Sequence, residues 1–176
     1  SHQCLAKMGE QKLENRMMTG SNKAPEELVK SGTTIKTIRL SPKGMPRESM
    51  SFPSFSYLEI VDEFWEESKF AEFLEGKFLF IVFQEDSQDT LRFERAIYWS
   101  MPYQDRMSAK QVWEETQLRT QLGNYKYPGS TDNDVAHVRP HGRDKNDTYE
   151  TPSGTQEVKR CFWLNARYIA RVLSTN

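Results

Sequence analysis

Three side chains near the start of the chain have the types and the spacing of a hydrolytic site. Glu27 precedes a β-branched segment by a short loop, and within that segment Thr34 and Lys36 lie on one face of a predicted strand. Metal-dependent hydrolysis of phosphodiesters uses two carboxylates that bind Mg²⁺ between them and a lysine that orients or activates the attacking water. Here a threonine stands where the second carboxylate is needed. Two interpretations stay open: a site of this kind with one acid replaced, or an ordinary strand with an exposed threonine and lysine.

A second group of polar side chains follows a predicted strand near the C-terminus. The stretch combines cations, an amide and one rigid residue: Arg139, Pro140, His141, Arg143, Lys145 and Asn146. Arginine pairs bidentately with guanine in the major groove, lysine and asparagine reach phosphates and adenine, and proline restricts its own φ. These residues are candidates for binding DNA, with a solvated surface loop as the alternative.

Other common chemistries lack the residues that they need. His137 and His141 are four residues apart but flank Arg139 and Pro140 on a strand-to-loop segment, so helical pairing of two zinc ligands does not apply. The sequence has no glycine-rich phosphate loop and no Gly-x-Ser-x-Gly elbow, and Cys161 lies in an apolar segment typical of a core. A zinc enzyme, a phosphate-loop protein and a serine hydrolase are therefore all unsupported.

The charge is small in total but unevenly distributed. The 176 residues carry 24 basic and 25 acidic side chains, and the net charge of -1 by itself argues against a nucleic-acid binder. Residues 1–56 contain 9 basic and 5 acidic side chains, residues 57–99 contain 4 and 11, and residues 137–171 contain 7 and 4. Two basic ends thus flank an acidic middle. If the basic ends converge on one cleft, they favour phosphate binding whatever the total charge.

Length and composition predict a single domain over residues 1–176. The longest apolar run, residues 78–83, is far shorter than the roughly 20 residues that span a bilayer. No signal peptide is visible, and the 2 cysteines suggest a reducing compartment. We therefore expect a cytoplasmic protein with no membrane association.

Periodicity and turn residues predict a mixed α/β chain with a small central sheet. The predicted strands are 33–40, 48–52, 77–84, 91–100, 135–138 and 159–164. The predicted helices are 5–18, 109–122 and 165–173, the last capped by Asn165, and residues 55–74 have aromatic side chains at helical intervals. Residues 140–155 are predicted to form one long loop because they are polar and rich in turn residues.

Five short motifs, taken in order along the chain, resemble the MutH family of mismatch-repair nickases and restriction endonucleases. They are Glu27-x6-Thr34-x-Lys36-Thr37-Ile38, Trp65-Glu66-Glu67-Ser68, Tyr98-Trp99-Ser100-Met101-Pro102, Val138-Arg139-Pro140 and Phe162-Trp163-Leu164. Residues 35–40, 48–53 and 150–156 are most similar to the C-terminal half of Sau-three-A-type restriction enzymes. The resemblance covers residues 24–173, which we take as the core, and leaves 1–23 as a partial N-terminal helical segment.

The resemblance implies a restriction-endonuclease-like PD-(D/E)xK fold with a small mixed sheet flanked by helices, Mg²⁺ dependence and recognition of GATC in double-stranded DNA. By position, Glu27 corresponds to the first metal-binding acid, Thr34 to the second acid and Lys36 to the motif lysine. Arg139-Pro140 corresponds to the base-reading segment. A further lysine of the family corresponds to Phe73, in acidic surroundings. Thr34 and Phe73 therefore predict a degenerate, inactive site in which metal binding by Glu27 is doubtful.

In Sau-three-A-type enzymes, which resemble two fused MutH-like halves, the C-terminal half binds DNA and acts as an effector of an N-terminal half that cuts. The resemblance therefore predicts a DNA-binding effector domain whose partners are GATC duplexes and the N-terminal catalytic domain of the same enzyme. Mg²⁺ is then needed by the full-length enzyme and not bound by this domain. Two alternatives stay open. One is a competent Mg²⁺-dependent endonuclease or nickase using Glu27, with or without Glu26, together with Lys36 and, on a neighbouring strand, Glu48. The other is a protein-interaction domain acting through the acidic 57–75 surface.

Overall fold

The computed structural model describes residues 30–176, and these form two compact units. The first unit contains residues 30–47 and 76–100, and the second contains residues 48–75 and 101–176. Glu26, Glu27 and the predicted helix 5–18 lie outside the described residues. The division into units leaves the prediction of one domain over 1–176 untested.

Eight strands and four α-helices make up the described residues. The strands are β1 Thr33–Leu40, β2 Met50–Ser54, β3 Lys77–Glu85, β4 Leu91–Ser100, β5 Ala136–Pro140, β6 Thr148–Glu150, β7 Gln156–Val158 and β8 Arg160–Leu164. The helices are α1 Tyr57–Ile60, α2 Lys69–Glu75, α3 Tyr103–Gln121 and α4 Ala166–Thr175, with a short 3₁₀ helix at Trp65–Glu67. The mixed α/β prediction is confirmed. Within residues 30–176, no helix has the length and apolar character needed to cross a membrane.

The first unit is built on a three-stranded sheet in the order β1-β3-β4. β1 runs parallel to β3, and β4 returns antiparallel along the other side of β3. Leu79, Ile81 and Phe83 of β3 pack into a buried cluster on one face, while Phe78 and Phe80 are buried on the other. This double burial explains why β3 is a continuous apolar run rather than an alternating one.

The second unit contains a sheet in the order β2-β8-β5, in which β8 pairs antiparallel with both neighbours. The prediction that the strand after β1 lies beside it was wrong, because β2 pairs with β8 and β1 pairs with β3. Glu48, the substitute acid of the catalytic alternative, precedes β2 and lies on no strand paired with β1. The local sequence pattern predicted that the β2 region forms a strand, but such a pattern carries no information about which strand β2 pairs with.

Several boundaries differ from the predictions: β2 spans Met50–Ser54 instead of 48–52, and β5 extends to Pro140, so Arg139 and Pro140 end the strand instead of following it. Residues 55–74, which have aromatic side chains at helical intervals, contain α1, the 3₁₀ helix and most of α2. The 3₁₀ helix and α2 are separated at Ser68, whose hydroxyl donates to the Trp65 carbonyl and accepts from the Ala71 N–H. α3 begins two turns earlier than predicted, at Tyr103, because its first turns are too polar to show a periodic pattern. The predicted loop 140–155 contains β6, which pairs with β7 as a hairpin.

Candidate nucleic-acid interface

The exposed end of β5 is organised around one buried aromatic ring. In the pairing of β5 with β8, His137 lies opposite Trp163 and Arg139 lies opposite Cys161, so these side chains share one face of the sheet. The Arg139 guanidinium lies over the Trp163 ring at 4.0 Å from the centroid, and the His141 ring meets Trp163 edge-on at 5.0 Å. Trp163 is only 7% exposed, whereas Arg139 and His141 are exposed. The central strand therefore provides a fixed platform for an exposed cation.

Beneath this platform, His137 is fixed in one orientation. The Asn165 side-chain amide donates to the carbonyls of Asn133 at 2.7 Å and Ser130 at 3.4 Å, so its Oδ1 faces His137 Nδ1 at 2.5 Å. Nδ1 is therefore the protonated nitrogen of a neutral imidazole. Burial lowers the pKa of His137 and so favours this neutral form. Asn165 precedes α4 as predicted, but its side chain holds His137 and makes no capping bond.

The loop that follows β5 is held in shape by one carboxylate. Asp147 accepts from the Arg143 backbone N–H at 3.0 Å and pairs with Lys159 Nζ at 2.8 Å. The hydrogen bond from Lys159, and then that from the Arg143 N–H, lower the pKa of Asp147. A Cβ at Gly142 would come within 3.1 Å of the Asp147 side chain, so only glycine fits there without movement. The loop has a preset shape although its tip is exposed.

The six residues predicted to contact DNA are brought together along this end of the second unit. Arg139 and Pro140 end β5, and His141, Arg143, Lys145 and Asn146 follow on the loop; all six are exposed. The His141 backbone N–H donates to the Lys159 carbonyl at 2.9 Å, and the Asn146 N–H donates to the Asp144 carboxylate at 2.8 Å. Their placement is compatible with contact to DNA, and that role stays a prediction.

Thr34 and Lys36 lie together on β1, as predicted, but in surroundings poor in metal ligands. Thr34 is opposite Phe78 and Lys36 is opposite Phe80 in the parallel pairing with β3. Within residues 30–176, no group of three or more His, Cys, Asp or Glu side chains could hold a metal ion. Mg²⁺ prefers hard anionic oxygens, whereas this position offers a neutral hydroxyl and an ammonium. Thr34 and Lys36 therefore offer no carboxylate to Mg²⁺, and Glu27 lies outside the described residues.

Phe73, which replaces the family's further lysine in the resemblance, belongs to an aromatic cluster in the second unit. Its ring lies 5.6 Å from that of Phe52. Both side chains line a cavity of about 110 Å³, together with Phe55, Phe70 and Phe162. Phe73 is therefore part of an aromatic wall and supplies no positive charge at the position of the family's further lysine.

Sequence reasoning missed the residues that hold the interface in place. Trp163 belongs to a family motif, but no sequence pattern marks Trp163, Asp147 or Asn165 as positioning residues. Asn165 contacts His137 from 28 residues away, and Trp163 lies across a strand pair from His137. Only the alternation of β5 could have indicated that residues 137, 139 and 141 share a face.

Comparison with known proteins places this mixed α/β architecture in the restriction-endonuclease-like class. The family described as DNA mismatch repair enzyme MutH matches residues 17–120. The chain therefore belongs to the MutH family, as the motifs predicted.

Two curated relatives were found. Type II restriction enzyme Sau3AI of Staphylococcus aureus is 28% identical over 166 residues, which cover 80% of this chain and 34% of Sau3AI. DNA mismatch repair protein MutH of Pasteurella multocida is 28% identical over 127 residues, which cover 70% of this chain and 57% of that protein. The chain thus spans about a third of one relative and somewhat over half of the other. The likeness to the C-terminal half of the restriction enzyme in particular stays a prediction.

Proposed function

We propose that this chain is a DNA-binding domain that recognises GATC in duplex DNA and does not cleave DNA on its own. In this proposal it acts in the cytoplasm as the effector of a type II restriction endonuclease, beside an N-terminal catalytic domain that uses Mg²⁺. The observation that carries the proposal is the exposed Arg139 side chain, whose guanidinium lies over the buried Trp163 ring at 4.0 Å from the centroid.

This cation–π contact suits an arginine that reads a base. A guanidinium held over an aromatic ring still has N–H donors available for two parallel hydrogen bonds. Guanine offers the matching pair of acceptors, O6 and N7, in the major groove. Arg143 and Lys145 on the exposed loop add charge suited to phosphates. The relatives named above, a restriction enzyme and a mismatch repair protein, are consistent with a DNA ligand.

The proposed lack of cleavage rests on two substitutions. Thr34 cannot supply the negative charge of a second metal-binding carboxylate. Phe73 is packed against Phe52, so this position offers no cation to stabilise a developing negative charge.

Binding and cleavage assays on the chain test the two parts of the proposal separately. We expect tighter binding to a GATC duplex than to a scrambled duplex of equal length at moderate salt, measured by fluorescence anisotropy. We also expect no nicking of a GATC-containing plasmid with Mg²⁺, even with the protein in large excess. Nicking that requires Mg²⁺ and is lost in Lys36→Ala would establish the catalytic alternative. Absence of DNA binding at low salt would favour the protein-interaction alternative.

Trp163 should act as a positioning residue for Arg139. Trp163→Leu removes the aromatic face and is expected to reduce the preference for GATC by about 0.5–2 kcal/mol, the range of cation–π contacts. Trp163→Phe keeps a face and should retain most of the preference. The measurement is the ratio of affinities for GATC and scrambled duplexes, with thermal melting as the check on folding. An equal preference in the two variants, both folded, would contradict this role.

A further inference from the structure

α4 carries two arginines on its exposed side that the sequence analysis did not select. Arg167 and Arg171 are four residues apart, so they lie on the same side of the helix, and both are exposed. The other side is buried through Tyr168, Ile169 and Val172. The ten residues of α4 include no acidic side chain. Arg167 and Arg171, the α4 arginine pair, thus form a positive ridge.

Hydrogen bonds hold Arg167 and the start of α4 in position relative to β5. The Asn165 amide donates to the Asn133 carbonyl at 2.7 Å, and Arg167 Nη2 donates to the same carbonyl at 2.9 Å. Asn165 also contacts His137 in β5 at 2.5 Å, and Arg139 lies two residues further along that strand. Burial is the main cause of the lowered pKa of His137, and the charges of Arg139 and Arg167 both add to it. The charges of Arg139 and Arg167 therefore both affect the His137 imidazole.

The ion pair of Arg167 and the aromatic contact of Arg171 are weak enough to be replaced by contacts with a phosphate. Arg167 lies 3.5 Å from the Asp134 carboxylate, with side chains 46% and 83% exposed. An ion pair this exposed contributes little, because water screens it, so a phosphate can replace the carboxylate. Arg171 lies over the Tyr168 ring of its own helix at 5.4 Å, a contact that involves no negative charge.

We infer that the α4 arginine pair binds backbone phosphates of the duplex whose bases Arg139 contacts, an inference that rests on the proposed function. Phosphate contacts carry no sequence information, so the pair should strengthen binding to every duplex alike. Asp134 then competes with the DNA for Arg167. The DNA footprint would thus extend from the loop after β5 onto α4.

A salt series with two duplexes tests this inference. The double variant Arg167→Gln, Arg171→Gln should weaken binding to GATC and scrambled duplexes by the same factor, about tenfold. The slope of log affinity against log salt should fall by about 2, since each phosphate contact contributes about 0.9. Asp134→Asn should tighten binding to both duplexes about twofold. Lys69→Gln is the control, because Lys69 on α2 is 82% exposed within the acidic segment and should leave the slope unchanged.

Two results would overturn the inference, provided that melting shows the double variant to be folded. One is an affinity and slope equal to those of the unsubstituted chain; the other is a loss confined to the GATC duplex. Equal binding of the unsubstituted chain to both duplexes would contradict the proposed GATC recognition. The inference would still be supported in that case if the double variant lowered the slope on the scrambled duplex.

Discussion

Arg139→Ala is expected to weaken binding to a GATC duplex by about 1–3 kcal/mol, with a much smaller effect on a scrambled duplex. Arg139 is exposed and its guanidinium lies over the Trp163 ring at 4.0 Å, so the substitution removes the proposed base contact without removing a buried side chain of the sheet. Anisotropy titrations of both duplexes at one salt concentration measure the two affinities. Their ratio reports specificity independently of the charge that is lost.

Two comparisons sharpen the interpretation of Arg139→Ala. Arg139→Lys keeps the charge but loses the planar fork, so it should retain affinity for the scrambled duplex and lose the preference for GATC. Arg92→Ala removes an exposed arginine of β4 in the first unit and should leave the preference unchanged. Equal losses on both duplexes for Arg139→Ala would show that Arg139 contacts phosphate instead of a base.

Phe162→Ala is expected to lower the free energy of unfolding by about 3–5 kcal/mol, the range for aromatic truncations in a core. Phe162 is 3% exposed on the central strand β8. Its ring stacks on Phe70 at 4.5 Å and lies 5.1 Å from Phe55. Removal enlarges the neighbouring cavity of about 110 Å³, which limits how far the site can collapse. Urea denaturation followed by circular dichroism measures the change.

Phe64→Ala provides a matched control for Phe162→Ala. Phe64 is the same residue type in the same unit but is 68% exposed, so its truncation should change stability by less than about 0.5 kcal/mol. Similar losses in the two variants would mean that the aromatic cluster around Phe162 does not carry the stability of the second unit.

Strands with strong local patterns were predicted nearly to the residue. The apolar run that became β3 and the β-branched run that became β1 agree with the structure within one residue at each end. The closing strand and helix were also found, because β8 and α4 have the periods of a buried strand and an amphipathic helix. Local composition is sufficient for such elements, since each is defined by its own burial pattern.

Individual side-chain hydrogen bonds, local or distant, were not predictable in the same way. The Ser68 hydroxyl separates the 3₁₀ helix from α2 within a segment whose aromatic side chains recur at helical intervals. The Asn165 side chain serves His137 instead of the helix that it precedes. In each case a tertiary or side-chain contact outweighs a weak local preference, because burying an unpaired polar group costs more than a cap contributes.

The order of residues along the chain was enough to establish the MutH family, the strand that carries Thr34 and Lys36, and the basic stretch that begins at Arg139. These features depend on residue type and spacing alone. The support beneath Arg139 depends instead on the register of β5 with β8, which places Trp163 opposite His137 and one step from Arg139. A shift of one residue would turn Trp163 to the other face of the sheet. Folding therefore placed the Arg139 guanidinium 4.0 Å from the centroid of the buried Trp163 ring, and this contact is the basis for proposing that Arg139 reads a base.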